Sequence, residues 1–131
     1  MTAAANGIVL DASAMVDVLT GGAQAGRVNA RVRSATVHVP AHFDAEVLSA
    51  LGRLCRAGRL PVNEAPALLD AVTRAPFSRE GLPGLLSGAW LRRDSLRLVD
   101  ALYVELAGRL AVPLVTTDIR LANAYPAAEL P

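Results

Sequence analysis

Short apolar runs alternate with helical patterns along the chain. Gly7-Ile8-Val9-Leu10 is an unbroken apolar run closed by Asp11, the pattern of a buried strand. Ser13 to Leu19 reads as a short helix stopped by Gly21-Gly22. Gln24 to Arg33 reads as a second, with Arg27 and Arg31 one turn apart on its outer side. Thr36 to Val39 is β-branched and short, a strand closed by Pro40. Phe43, Val47, Leu51 and Leu54 recur at helical spacing, which predicts a helix from Ala41 to Ala57 ending near Gly58. Asn63 is placed to cap a further helix running to about Arg74. Pro76 to Leu82 is irregular, with room for a short edge strand through Phe77 and Ser78. Pro83 to Arg93 and Leu96 to Leu110 read as helices. Leu114-Val115-Thr116 is a strand, followed by Asp118, a short helix to about Ala124, and a candidate last strand at Ala128-Glu129-Leu130.

Strands separated by helices pair in parallel through crossovers, which predicts an α/β fold: a three-layer sandwich with a short, mainly parallel sheet and helices on both faces. Such sheets bind ligands outside the carboxyl ends of their strands. Asp11 and Asp118 fall at two of those ends. Each also stands where a routine helix N-cap would stand, so neither position is diagnostic alone.

Composition narrows the class. At 131 residues, 53% hydrophobic and 19% charged, the chain is expected to form one folded domain over residues 1–131, and intrinsic disorder is excluded. So high an apolar content in a small domain points to a well-covered core, with a surface that a partner covers as the further reading. The most apolar region, Leu96 to Val115, is broken by Arg97, Asp100, Glu105, Arg109 and Pro113, so no membrane span is expected. Met1 to Gly7 lacks the basic and apolar regions of a signal peptide, and one cysteine, Cys55, fits a reducing cytoplasm. Net charge is only +1, yet every basic residue other than histidine is Arg. Genomic base composition accounts for that bias, with bidentate phosphate contacts as the functional alternative.

At 100° per residue, Arg97, Glu105, Gly108 and Arg109 share a face that should meet solvent, with Val99, Leu102, Leu106 and Leu110 opposite. Asp100 lies off the charged face, beside Tyr103, Val104 and Ala107. A half-buried carboxylate there needs a cation or donors, either as a structural pair or as a site. Glu46 shares the polar side of its helix with His42, Ser49 and Arg53, the pattern of a solvated surface residue. No Gly-rich nucleotide loop is present. His38, His42 and Cys55 have the wrong spacing for zinc, and Cys55 is expected to be a core thiol.

Four segments together resemble a known family. Ile8-Val9-Leu10-Asp11-Ala12-Ser13 resembles the opening motif of PIN domains, and Val39-Pro40-Ala41-His42-Phe43-Asp44-Ala45-Glu46 the second. Asp100-Ala101-Leu102-Tyr103-Val104-Glu105-Leu106-Ala107 resembles the third, with Val99 where the family often has Tyr. Val112-Pro113-Leu114-Val115-Thr116-Thr117-Asp118-Ile119-Arg120-Leu121-Ala122 resembles the fourth. Their order and spacing look like the VapC-type ribonuclease toxins of bacterial toxin–antitoxin pairs, from about residue 7 to residue 130.

The resemblance implies a PIN-like sandwich in which Asp11, Glu46, Asp100 and Asp118 converge as catalytic and metal-binding residues. Four carboxylates at close range require cations, and hard oxygen donors select Mg²⁺ or Mn²⁺. Asp11 and Asp100 would be the principal ligands and Asp118 would complete the shell. Glu46 would orient or deprotonate water, or hold a second ion. Ser13, Thr116 and Thr117 would support by hydrogen bonding, with helix capping as their ordinary role. Arg92, Arg93, Arg97 and Arg120 are candidate contacts to RNA phosphates, or else solvated surface. The implied partners are an RNA substrate, a cognate VapB-type antitoxin and a second copy of the chain, the last through Leu85, Leu86, Ala89, Trp90 and Arg93 unless Trp90 is core. The alternatives are a degenerate PIN fold used for binding, and an acidic-pocket signalling receiver, which would need a Lys that this chain lacks.

Overall fold

The computed structural model describes residues 6–131. Met1 to Ala5, on which most of the signal-peptide expectation falls, lie outside the described residues. The chain runs β1 (Gly7–Leu10), α1 (Ala12–Thr20), α2 (Ala25–Arg33), β2 (Thr36–Pro40), α3 (Phe43–Arg56), α4 (Ala65–Arg74), β3 (Ser78–Glu80), α5 (Leu86–Trp90), α6 (Leu98–Leu110), β4 (Leu114–Val115) and α7 (Ile119–Ala124). The sheet order is β3-β2-β1-β4, with every neighbouring pair parallel. Ile8, Val9 and Leu10 of the central strand are fully buried although alternate residues face opposite sides, so both faces of β1 are covered. The predicted α/β sandwich is the fold observed.

The core joins these strands to α3 through Phe43, Val47 and Leu51, and to α6 through Tyr103, Val104 and Leu106. Because all four strands run the same way, their carboxyl ends meet at one edge. Asp11 follows β1 and Asp118 follows β4 there. Val9 pairs with Leu114 and Leu10 with Val115, which sets these two strand ends side by side.

Several local expectations are revised. Pro83 to Arg93 is not one helix: a 3-10 turn over Pro83–Leu85 leads into the five-residue α5. α6 begins at Leu98 rather than Leu96. Asn63 does not cap α4; it lies inside a 3-10 turn over Val62–Glu64. The edge strand starts at Ser78 and excludes Phe77, whose ring packs edge-on against Phe43. The tail contributes one parallel bridge, Glu129 to Val115, with Arg31 holding the Glu129 carboxylate at 2.6 Å. Cys55 is only partly buried at the core margin.

Glu105 departs from the solvent face assigned to it. Its carboxylate folds onto α5, occupying the space where a Cβ at Gly88 would stand, and Arg92 and Arg109 pair with it at 3.4 and 2.8 Å. Gly88 is needed for that approach. Trp90, in contrast, is 55% exposed and is not core. No described helix is long and apolar enough to cross a membrane.

Candidate active site

Asp11, Glu46, Asp100 and Asp118 line one cleft of about 250 Å³, together with Ala12, Ser13, Val16, Ala50, Arg53 and Arg97. Four elements deliver the four carboxylates. β1 ends at Asp11, α3 carries Glu46 in its first turn, α6 carries Asp100 in its first turn, and β4 leads to Asp118.

Asp11 is 6% exposed and does not cap α1 with its side chain. Its Oδ2 instead accepts from Ser13 Oγ at 2.6 Å and from Thr116 Oγ1 at 2.8 Å. Each hydroxyl has one proton to give, so the 3.2 Å approach between Ser13 Oγ and Thr116 Oγ1 adds no third bond. The same hydroxyls accept in turn: Ser13 Oγ from the Thr117 amide, Thr116 Oγ1 from the Asp118 amide. One network thus ties β1 to the loop after β4. Thr117 enters it through its backbone. Burial pushes the Asp11 carboxyl above its ordinary range; the two hydroxyls oppose this, and the charges of Glu46 and Asp100 add to it.

Asp118 is arranged otherwise. Its Oδ1 accepts from the amides of Arg120 and Leu121 at 2.9 and 3.3 Å, capping α7. Arg120 also pairs with Oδ2 at 3.1 Å. Partial burial acts to raise this carboxyl, but the Arg120 guanidinium and the two amides outweigh it and hold the group below its ordinary range.

Asp100 is 6% exposed, and the donors it requires are Arg97 at 3.1 Å and Arg120 at 3.5 Å. Glu46 is not the solvated residue its helical pattern suggests. Its Oε1 accepts from the hydroxyl of fully buried Tyr103 at 2.6 Å and lies 3.3 Å from His42 Nε2. Burial first, then the Glu46 charge and its hydrogen bond, push the Tyr103 phenol well above its ordinary range, so it acts as a fixed neutral donor. His42 Nε2 also reaches the Val99 carbonyl at 3.1 Å, which ties α3 to the start of α6.

Tyr103, His42 and Arg53 are therefore site neighbours to which sequence reasoning gave no role. The available signal was Tyr103 one turn after Asp100 on a core-facing surface, since a buried Tyr hydroxyl usually finds a partner. Of the four candidate arginines, Arg97 and Arg120 adjoin the carboxylates. Arg92 pairs with Glu105, and Arg93 stacks on Trp90 with its guanidinium 4.8 Å from the ring centroid.

Among the described residues, no three His, Cys, Asp or Glu side chains are arranged as a ready-made metal cage. Arg97 and Arg120 sit on Asp100 and Asp118 instead. The donor set remains all oxygen and strongly acidic.

Comparison with known proteins gives the family. The PIN-domain family model matches residues 8–125. Ribonuclease VapC3 of Mycobacterium tuberculosis is 55% identical over 122 residues, covering 92% of this chain and 89% of that protein. Ribonuclease VapC12 of the same species is 36% identical, with 90% and 92% covered. Among solved structures, PAE2754 from Pyrobaculum aerophilum superposes with a TM-score of 0.72 at 22% identity, over 93% of this chain and 81% of that one. Mycobacterium tuberculosis VapC20, described as a sarcin-ricin loop cleaving toxin, gives 0.66 at 20% identity, over 90% and 95%. The family match spans all four carboxylates and the two curated relatives cover nearly the full chain, so the chain belongs to the PIN-domain family, in its VapC ribonuclease branch.

Proposed function

We propose that the chain is an endoribonuclease toxin that hydrolyses RNA phosphodiester bonds with a divalent cation in the Asp11–Glu46–Asp100–Asp118 cleft. The observation that carries this reading is the burial of Asp11 and Asp100, 6% exposed each, in one small cleft with two further carboxylates. Burying carboxylates is unfavourable without a compensating charge; Arg97 and Arg120 supply one to Asp100, whereas Asp11 has only two hydroxyl donors, the situation expected where the charge is used.

The residues fit a hard cation. Mg²⁺ binds through one or two carboxylates plus waters and substrate phosphate, so a complete protein cage is not required. Asp11 and Asp100 would hold it once Arg97 and Arg120 turn away from Asp100, with Asp118 as a further ligand once Arg120 releases it as well. Mg²⁺ and Mn²⁺ share this chemistry, and either would neutralise phosphate charge and acidify a bound water. The protein supplies the rest. Ser13 and Thr116 fix one oxygen of Asp11 and leave Oδ1 for the cleft. Tyr103 fixes Glu46 Oε1, so that Oε2 is the oxygen to orient the attacking water and take its proton.

Two partners follow. A VapB-type antitoxin would silence the enzyme, and its natural handle is the acidic cleft, where an Arg from the partner would pair with Asp11 or Asp100. A second copy of the chain would cover the apolar groove of about 350 Å³ between Leu86, Ala89 and Trp90 on α5 and Leu98, Val99 and Leu102 on α6. With Leu86 56% and Trp90 55% exposed, a homodimer is the state expected by light scattering at tens of micromolar. We read residues 1–131 as one nuclease domain working in the reducing cytoplasm.

The test is cleavage of a structured RNA by the purified protein with Mg²⁺ or Mn²⁺. Cleavage should stop in excess EDTA and in Asp100→Asn, which keeps the shape and removes the charge. Undiminished cleavage in either case would contradict the cation-dependent mechanism.

A further inference from the structure

The carboxylates occupy only part of their cleft. The remainder is a trough between α1 and α3, lined by Ala12, Ser13 and Val16 on one side and by Glu46, Ala50 and Arg53 on the other. The last three are spaced i, i+4 and i+7, so they lie along one face of α3, and Arg53 stands roughly 10 Å along the helix from Glu46. Small side chains at Ala12, Ser13 and Ala50 leave the trough open between its two ends. One end is acidic and the other carries a guanidinium.

Arg53 differs from the other arginines at the site. Arg97 is bound to Asp100, and Arg120 to Asp100 and Asp118. Arg53 donates to Ser49 Oγ at 2.8 Å and makes no ion pair among the described residues. A guanidinium carries five N–H donors, so most of its capacity is left unbonded beside the trough. A planar fork of that kind matches a phosphodiester in a bidentate manner. A free anion gains little there, because Glu46 and Asp11 share the trough and repel it. An anion tethered to a strand whose reacting phosphate sits at the carboxylate end is drawn in by both ends.

We propose that Arg53 forms a phosphate subsite of this enzyme, taking a phosphodiester of the RNA backbone that flanks the one cleaved. The assignment rests on the ribonuclease reading above and adds to it a direction for the strand: along α3, from Glu46 toward Arg53. It makes Arg53 a substrate-binding residue that acts on affinity and leaves the chemical step alone.

The test compares Arg53→Ala, Arg53→Lys and Arg33→Ala, the last removing the same charge from α2 outside the cleft. Steady-state cleavage should show KM raised roughly tenfold in Arg53→Ala with kcat within about twofold of wild type, the loss expected for one charge-assisted contact. The plot of log(kcat/KM) against log salt should be shallower by about 0.7, the increment for one phosphate on a single strand. Arg53→Lys should keep the salt slope and fall between the two in KM, while Arg33→Ala should match wild type. Binding of a labelled RNA to Asp100→Asn, with and without Arg53→Ala, reads the same contact without turnover. Equal affinities and parallel salt slopes would overturn the subsite, as would a fall in kcat at constant KM. If the parent enzyme cleaves no RNA while Arg53 still governs binding, the subsite stands and the nuclease reading fails.

Discussion

Asp11 and Asp118 occupy the same kind of position and live in opposite environments. Each ends a parallel strand and precedes a helix, and the two strands are neighbours in the sheet. Asp118 caps its helix with Oδ1 and pairs with Arg120 through Oδ2. Asp11 caps nothing with its side chain; two hydroxyls hold one oxygen, and burial and neighbouring carboxylates press it toward the neutral form. Asp118 therefore contributes to folding as it stands, whereas Asp11 is held in an unfavourable place that a cation would relieve. The strand–Asp–helix pattern supplies both outcomes, and the surrounding donors decide between them.

Catalysis should separate the two aspartates most widely. Asp11→Asn is expected to lower the cleavage rate by roughly a thousandfold or more, since it removes the proposed principal cation ligand and leaves its hydroxyl partners in place. Asp118→Asn should cost roughly ten- to a hundredfold, as expected of a carboxylate already shared with Arg120. Initial rates on one RNA at saturating Mn²⁺ measure both. Equal losses would erase the distinction.

Stability should separate them in the opposite sense. The Asp11 carboxyl is raised in the folded state, so its contribution is present in full below the unfolded value of 3.8 and is lost as pH rises through the folded value. Asp11→Asn should consequently melt above wild type at neutral pH without metal, and the gap should close toward pH 4. The Asp118 carboxyl is lowered, so its contribution is full above the unfolded value of 3.8 and is lost as pH falls through the folded value. Asp118→Ala should lose about 1 kcal/mol at neutral pH, the usual worth of an N-cap, with a smaller deficit in acid. Melting curves from pH 3 to 8 in EDTA test both signs. A neutral-pH loss in Asp11→Asn would break the account.

Tyr103→Phe should show the smallest effect. Removing the hydroxyl leaves Glu46 Oε1 with His42 Nε2 as its one remaining neighbour and is expected to lower kcat about three- to tenfold, with KM nearly unchanged. The Phe ring keeps the core packing. A cleavage rate equal to wild type would mean that the Tyr103 hydroxyl is not what positions Glu46.

The strand and helix alternation was legible because β1 and β2 are short, apolar and β-branched, and because α3 and α6 bury continuous apolar faces. Contacts distant in sequence were not. The packing of Glu105 against Gly88 of α5 joins residues far apart along the chain. Glu46 reads as surface since its helical neighbours are polar, and only the fold brings the Tyr103 hydroxyl 57 residues away against it. Asp100 was legible in part: its place off the charged face announced a buried carboxylate, but Arg120 as a partner follows only from the α7 turn. Arg53 carried no signal, because a free arginine on a polar helix face looks the same whether or not a cleft runs beside it.

We propose that these carboxylates, with Asp11 foremost, form a binding site for a divalent cation. Calorimetric titration of Mn²⁺ into the protein without RNA tests it most directly. Binding to wild type with at least tenfold weaker affinity in Asp11→Asn, and an intermediate loss in Asp118→Asn, is the result the account predicts. Equal Mn²⁺ affinity in wild type and Asp11→Asn, or no binding to wild type at millimolar Mn²⁺, would contradict it.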